Sequence, residues 1–450
     1  MLVRLILNNV FSFGIEKEFN MLPLSRLRRL KEHAYRCNDL DVLKLASIYG
    51  ANGAGKSNLI KGLTILKKFI VEEKTIDSNS IRFKFNEENQ SQKFIIEFFH
   101  QKKFFIYGVE IFNNIVLNEE LYLSDPMKKN DKLVFERSTN FETKEISIHS
   151  NYLEKNQEGK VLKKVIEKNL AKPNKSIFKL LTTLDNKNLE IVGTALDWFN
   201  KQLVILTPSS KAGGLAERID RKSELKSYIE NLMKSFHIGI ESLETEKKSI
   251  KEYFGEDNLE DLKKLTDKFE SNDTKMISLG NSKSEILLVK EDNDIFVKEL
   301  KVSHLGKNNK KVIFDLDEES DGTIRLLDFA PAFQDIVNKQ KVYIIDEIER
   351  SIHPLLIKQL IEKFSYDIET KGQLIFTTHE SNLLDQEIFR QDEIWFSEKD
   401  KNGSTDLYSL SDFKEHNTID IRKGYLSGRY GSIPFLGNLK DLNWHLDEIN

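Results

Sequence analysis

At 450 residues the chain exceeds what one hydrophobic core usually organises, so more than one lobe is expected. Its 68 basic and 72 acidic residues leave a net charge of −4, which gives no global attraction to nucleic acid or membrane; any such binding must come from a local patch. The single cysteine, Cys37, excludes intramolecular disulfides and cysteine-built metal sites, and no apolar stretch reaches the length of a membrane span, so a cytoplasmic protein with no membrane partner is expected.

Leu2 to Leu7 and Ile15 to Phe19 read as two strands joined by a turn, and the N-terminus lacks the small-residue cleavage site of a signal peptide. Residues 21 to 41 are polar and rich in arginine, which reads as a solvated helix or loop. Val42 to Tyr49 looks like a strand, and Asn58 to Ile70 carries apolar residues at helical spacing. Between them stands Gly50-Ala51-Asn52-Gly53-Ala54-Gly55-Lys56-Ser57, the G-x-x-x-x-G-K-[ST] phosphate-binding loop in its required strand–turn–helix context. The glycines let successive backbone N–H groups turn toward phosphate, and the helix N-terminus adds partial positive charge. Lys56 would reach the β- and γ-phosphates, Ser57 would ligate Mg²⁺, and Asn58 opens the helix beside them. A glycine-rich turn that binds nothing is the alternative, and the two correct flanks argue against it.

Three closely spaced apolar runs follow, near 94–99, 104–111 and 115–123, and suggest an antiparallel meander packed on the nucleotide core. Composition changes near residue 150. Lys155 to Lys175 is lysine-rich, Ile177 to Leu206 has helical periodicity, and Ser223 to Phe269 is charged and helical, with Leu225, Ile229, Leu232, Phe236, Tyr253, Leu259, Leu262 and Leu265 as its apolar positions. Heptads are not sustained, so no long coiled coil is expected. Lys160, Lys163, Lys164, Lys168, Lys172 and Lys175 could form a face for DNA phosphates, although a solvated helix face explains them as well. Met276 to Val302 and Val312 to Leu316 return to strand-like runs.

Lys341 to Glu347 is an apolar strand ending in Asp-Glu, the Walker B pattern. Asp346 would hold Mg²⁺, and Glu347 would polarise the attacking water as general base. The alternative is a buried strand running into an acidic turn. A GTPase also wants an Asn-Lys-x-Asp element; Asn338 to Lys341 lacks the aspartate. About 290 residues separate Lys56 from Asp346, far more than a minimal P-loop domain needs, so an insertion within one ATPase lobe is inferred. Leu374 to Thr378 is a strand leading to His379, which could contact the γ-phosphate, and Ser320 is a natural N-cap for a helix over 324–337.

Together these motifs resemble the ATPase head of the ABC superfamily, in the branch of chromosome-maintenance, recombination-repair and overcoming-lysogenization-defect proteins. The motifs Asn8 to Phe13, 50 to 57, Ser320 to Thr323, Ile345 to Glu347, Ser351 to Pro354 and Thr377 to His379 occur in that family's order. The chain is more similar to prokaryotic abortive-infection-type ATP-binding proteins, and Gly424 to Pro434 resembles a C-terminal element of that group. The resemblance implies an α/β fold: an ABC-type P-loop ATPase head with a mixed sheet and antiparallel meander, plus a mainly helical insert. Residues 1–150 and 301–450 would be the halves of the head, and 151–300 the insert, where a partner or DNA could bind. It also implies ATP and Mg²⁺ as ligands and a homodimer or higher homo-oligomer with two ATP molecules sandwiched between heads. Ser320 and Gly322 would then act on the ATP of the opposite subunit, His379 would be the switch histidine, and Glu347, Lys56 and His379 would be catalytic. Ser320 to Thr323 differs from the Leu-Ser-Gly-Gly-Gln of transporters, which argues against a transporter subunit. The glutamine between the first two motifs stays open among Gln90, Gln92 and Gln101. The chain ends at Asn450 with no room expected for an appended catalytic domain. The expectation is therefore an ATPase controlling a separate nuclease or toxin-like effector in phage defence, with direct action on DNA as the alternative.

Overall fold

The computed structural model describes residues 1–86, 90–126, 128, 131–184, 186–255, 269, 276–280, 285–291, 294–416 and 419–433. Leu259, Leu262, Leu265 and Pro434, singled out from the sequence, lie outside the described residues. The chain divides into two compact units, Met1–Ile205 with Gln373–Asn450, and Leu206–Gly372. No helix among the described residues is long and apolar enough to cross a membrane.

In the first unit, period-two burial along Gln92–His100, Lys103–Phe112 and Ile115–Ser124 puts alternate Phe, Ile and Tyr side chains on one face. These strands form the expected meander. It is a seven-stranded sheet running Ile146–His149, Lys132–Thr139, Ile115–Ser124, Lys103–Phe112, Gln92–His100, Leu2–Asn8 and Lys17–Asn20, with every pair antiparallel. Helical segments over 178–202 lie on it through aromatic contacts. Phe98 stacks on Trp198 with ring centroids 4.4 Å apart, and Tyr107 on Phe178 at 5.2 Å.

The second sheet of this unit carries the phosphate loop. Leu45–Tyr49 is buried along its whole length, as a strand covered on both faces must be. It pairs in parallel with Gln373–Thr377 on one side and Ile394–Lys399 on the other, and Thr405–Ser409 adds antiparallel to the latter, making the sheet mixed. Gln373 joins the two sheets. Its buried amide oxygen accepts from Leu2 N–H, and its nitrogen donates to the Leu2 and Leu43 carbonyls.

The arginine-rich stretch read as a solvated helix or loop is instead partly a hairpin, Ala34–Cys37 with Leu40–Leu43, anchored by a buried group. His33 is fully buried, with Nδ1 2.9 Å from the Glu393 carboxylate. Burial raises the Glu393 pKa despite this partner.

The second unit holds the helices Leu215–Arg221 and Ser223–Ser235 and a five-stranded antiparallel sheet. In that sheet Asp294–Leu305 is flanked by Ile240–Ser249 on one side and by Glu285–Glu291 and Lys311–Asp315 on the other, with Met276–Gly280 beyond Glu285–Glu291. Ile240–Ser249, read as part of a charged helix from 223 to 269, is therefore a strand. A bulge between Ile240 and Ser242 brings Ile240 and Leu243 to the same buried side. Helix Asp321–Asn338, strand Val342–Ile345 and helix Pro354–Tyr366 complete the unit.

Candidate functional site

The phosphate loop leaves the C-terminal end of Leu45–Tyr49, and the helix Lys56–Val71 begins at its last glycine. Leu59, Ile60, Leu63, Leu66, Phe69 and Ile70 bury one face of that helix, which fixes its N-terminus at the sheet edge. Gly53 and Gly55 have φ of 79° and 111°, in the region that side chains avoid. At Gly55 space is also lacking, because a Cβ would collide with the Thr405 and Ser12 hydroxyls. Lys56 is 6% exposed. Its ammonium donates to the Gly50 and Ala51 carbonyls at 2.6 and 3.2 Å and lies 3.4 Å from His379 Nδ1. The structure thus brings the loop lysine and the strand-end histidine together from 323 residues apart in sequence. Asn52 and Gly53 are exposed, Ala54 is buried, and Ser57 and Asn58 are partly exposed at the start of the helix.

Three hydroxyls that sequence reasoning missed support the loop from below. Thr405 Oγ1 lies 2.9 Å from the Ala54 carbonyl and 2.7 Å from Ser12 Oγ; Ser397 donates to the same carbonyl at 3.0 Å; Asn58 donates to Ser12 at 2.8 Å. Ser12, Ser397 and Thr405 are all buried. A carbonyl that accepts two hydroxyls is held in one orientation, and so are the N–H groups of the adjoining peptides.

In the second unit, buried Asp346 follows the strand Val342–Ile345, and its N–H donates to the Leu206 carbonyl at 2.8 Å. Glu347 is next, with a φ of 50° that a non-glycine residue holds only at a cost of order 1 kcal/mol. Its carboxylate is partly exposed and 3.8 Å from Arg350. Ser320 is the N-cap of helix Asp321–Asn338, with its Oγ accepting from Thr323 N–H at 3.1 Å. Gly322 packs against the Ser351 carbonyl so closely that a Cβ would clash. A cleft of about 280 Å³ opens beside this helix start, lined in part by Ser209, Lys211, Arg325, Arg350 and Ser351. Arg325 is drawn into its wall by the Ser210 and Thr207 carbonyls, at 2.8 and 3.1 Å, and burial lowers its pKa.

Of the other residues singled out, Gln92 is buried in a strand and its amide donates to the Gln90 carbonyl, while Gln101 sits in a turn. Among the lysines of 160–175, Lys163 is bound to Glu154 at 2.7 Å, and Lys175 donates to the Glu73 carbonyl. Lys160, Lys164, Lys168 and Lys172 are exposed. No cluster of three or more metal-binding side chains occurs among the described residues. Ser57 offers a hydroxyl in the first unit and Asp346 a carboxylate in the second, oxygen donors of the kind Mg²⁺ takes.

A phosphate loop on a mixed α/β sheet with an antiparallel meander beside it defines an ABC-type P-loop ATPase head. The chain belongs to the family described as "AAA domain, putative AbiEii toxin, Type IV TA system", whose profile matches residues 45–385. No curated protein matches. Among solved structures it is similar to the SMC head domain from Thermotoga maritima, with TM-score 0.41, 13% identity, and 91% of this chain and 98% of that one covered. It is also similar to an SmcHead bound to the C-winged helix domain of ScpA, with TM-score 0.42, 11% identity and coverage of 92% and 99%. A third is the Smc head with an extended coiled coil bound to the C-terminal domain of ScpA from Pyrococcus furiosus, with TM-score 0.37, 13% identity and coverage of 95% and 99%.

Proposed function

We propose that the protein binds and hydrolyses ATP with Mg²⁺ and uses nucleotide-dependent pairing of its heads to control a separate effector, a nuclease or toxin-like protein, in defence against phage. The observation that carries the ATPase reading is the shaped phosphate loop, with Lys56 at its mouth beside His379. In this reading residues 1–150 and 301–450 are the halves of one head, and 151–300 is an insert through which a partner senses head closure. Gly50 to Asn58 cradle the phosphates, with Lys56 countering β- and γ-phosphate charge. Ser57 and Asp346 would hold the metal ion, which would supply positive charge to offset that developing on the phosphates. Glu347 takes the proton of the attacking water, and His379 contacts the γ-phosphate. Ser320 and Gly322, at a helix start of favourable dipole, cap the nucleotide of the opposite subunit. The toxin description of the family supports the effector arm.

The test is ATP binding, phosphate release and native mass for the wild type, Lys56→Ala and Glu347→Gln. Lys56→Ala is expected to abolish binding. Glu347→Gln is expected to keep binding, lose turnover by at least about 100-fold and accumulate as an ATP-bound dimer. Native complexes isolated from the host should then contain an effector chain in fixed ratio. Unimpaired turnover in Glu347→Gln sinks the assignment of the base, and a monomer in every nucleotide state sinks head pairing.

A further inference from the structure

The strand Lys311–Asp315 lies at an edge of the sheet in the second unit. Along it Lys311, Val312, Ile313 and Asp315 are exposed, with Val312 and Ile313 at 42% and 58%. Among the described residues it pairs with Asp294–Leu305 alone, in the register Leu305 to Lys311 through Lys301 to Asp315. Gly306 N–H donates to the Lys310 carbonyl at 2.8 Å, which starts this ladder, whereas Asp315 N–H is taken by Glu318 Oε2 at 2.7 Å. By the alternation of an antiparallel pair, Lys311, Ile313 and Asp315 turn their backbone groups toward the outer edge. Natural edge strands are usually blunted by charge, proline or a bulge; this one is charged at both ends and leaves valine and isoleucine exposed between them.

Its sequence is also self-complementary. Placed antiparallel to a second copy and centred on Ile313, Lys311 of one strand faces Asp315 of the other, Val312 faces Phe314, and Ile313 faces itself. Both charged ends therefore meet opposite charge, while a slip of two residues puts each lysine opposite the other copy's isoleucine and strips both aspartates of their lysine partners. Among the described residues Lys311 reaches Glu244 at 3.9 Å and Ser242 Oγ at 3.2 Å, and its side chain is 55% exposed. The Asp315 side chain is 58% exposed, contacts Lys301 and accepts from the Glu318 N–H, and its remaining lone pairs can take a second ammonium from outside. Phe314 is held in place by an edge-on contact with His304 at 5.0 Å.

We propose that Lys311–Asp315 is a self-association edge, at which two copies of this chain join their sheets across a twofold axis through Ile313. The pairing makes about four backbone hydrogen bonds, two between the central Ile313 residues and two from Lys311 N–H to the facing Asp315 carbonyl. It is isologous and closed, so it yields a dimer and no fibre. It needs no nucleotide and stands apart from the pairing of heads.

Ile313→Cys tests this directly. Twofold-related residues of a hydrogen-bonded pair stand about 5.5 Å apart at Cα, within disulfide reach. The native Cys37 is buried and silent. Without nucleotide, and equally in a Lys56→Ala background, mild oxidation should cross-link Ile313→Cys at least about tenfold faster than Ile368→Cys, because pairing raises local thiol concentration. Ile368 is the control because it is 75% exposed and lies outside the strand. Adding Lys311→Glu places like charges opposite Asp315 and should return the rate to that of the control. Equal rates for the two cysteine variants overturn the interface, as does cross-linking that Lys311→Glu leaves unchanged. Loss of ATP binding or turnover with cross-linking intact would overturn only the function proposed above.

Discussion

Thr405 shows how a residue far from the nucleotide motif governs it. Its Oγ1 shares Ser12 Oγ and the Ala54 carbonyl, and Ser397 shares that carbonyl from the neighbouring strand. Replacing Thr405 with valine nearly keeps the volume and exchanges the hydroxyl for a methyl that cannot hydrogen-bond. Losing one buried hydrogen bond costs about 1 kcal/mol, and an orphaned partner raises this toward about 2. The loss falls on loop orientation, so ATP affinity should drop about tenfold while the melting temperature moves by only a few degrees. Titration calorimetry with a non-hydrolysable ATP analogue, set beside a thermal melt, separates these effects. Unchanged affinity would mean that the glycines hold the loop without these hydroxyls. Nothing in the sequence flagged Thr405, because a threonine beginning a strand 351 residues from Ala54 has no local pattern. Ser12 lay within a segment already tied to the nucleotide family, which was the one available signal. Lys56 and its glycines were legible because their chemistry is packed into eight consecutive residues.

At the scale of elements, legibility followed the regularity of burial. Gln92–His100 alternates cleanly, Lys103–Phe112 is densely apolar, and helix Lys56–Val71 keeps a continuous apolar face, so each could be read before the fold was known. Ile240–Ser249 could not, since it is largely charged and stands between apolar positions of helical spacing, and a bulge breaks its alternation at the start. Charge also stabilises this sheet from within. Lys298 is 2% exposed and is surrounded by Glu217 and Asp220 at 2.7 Å and Glu291 at 2.8 Å. Hydrogen bonds from Lys247 and Lys298 bring the Glu291 pKa down to about 2. A carboxylate depressed in the fold contributes stability above its unfolded value of 4.5, and that contribution is lost as pH falls toward about 2. Acid should therefore loosen this sheet progressively below pH 4.5, seen as faster amide exchange in 285–291 and 294–305. Lys298→Met leaves the buried Glu217 without its lysine and should cost about 3 kcal/mol at neutral pH. Its penalty should shrink as pH falls toward about 2, where Glu291 takes up its proton. An equal penalty at pH 7 and near pH 2 would show that the lysine matters for packing rather than for charge.

For the whole molecule, the chemistry proposed here is divided along the chain. Lys56 and His379 belong to one compact unit, and Ser320, Asp346 and Glu347 to the other. If Ser320 serves the nucleotide of an opposite subunit, two inactive variants must be able to rescue one another. Lys56→Ala destroys the phosphate loop and leaves the helix start at Ser320 intact; Ser320→Arg does the reverse by placing a bulky cation at the cap. In their mixed dimer one site carries both lesions and the other carries neither. With random exchange half of the dimers are mixed, so about a quarter of the wild-type sites should turn over ATP in an equimolar mixture. Each variant alone should be inactive. Mixing adds nothing if Ser320 serves its own chain's nucleotide, because every copy then carries a defective site. Rescue that rises with protein concentration and saturates near a quarter would establish shared sites without any structure of the dimer. It would also separate pairing of the heads from pairing at Ile313, since Lys311→Glu should leave the rescue unchanged.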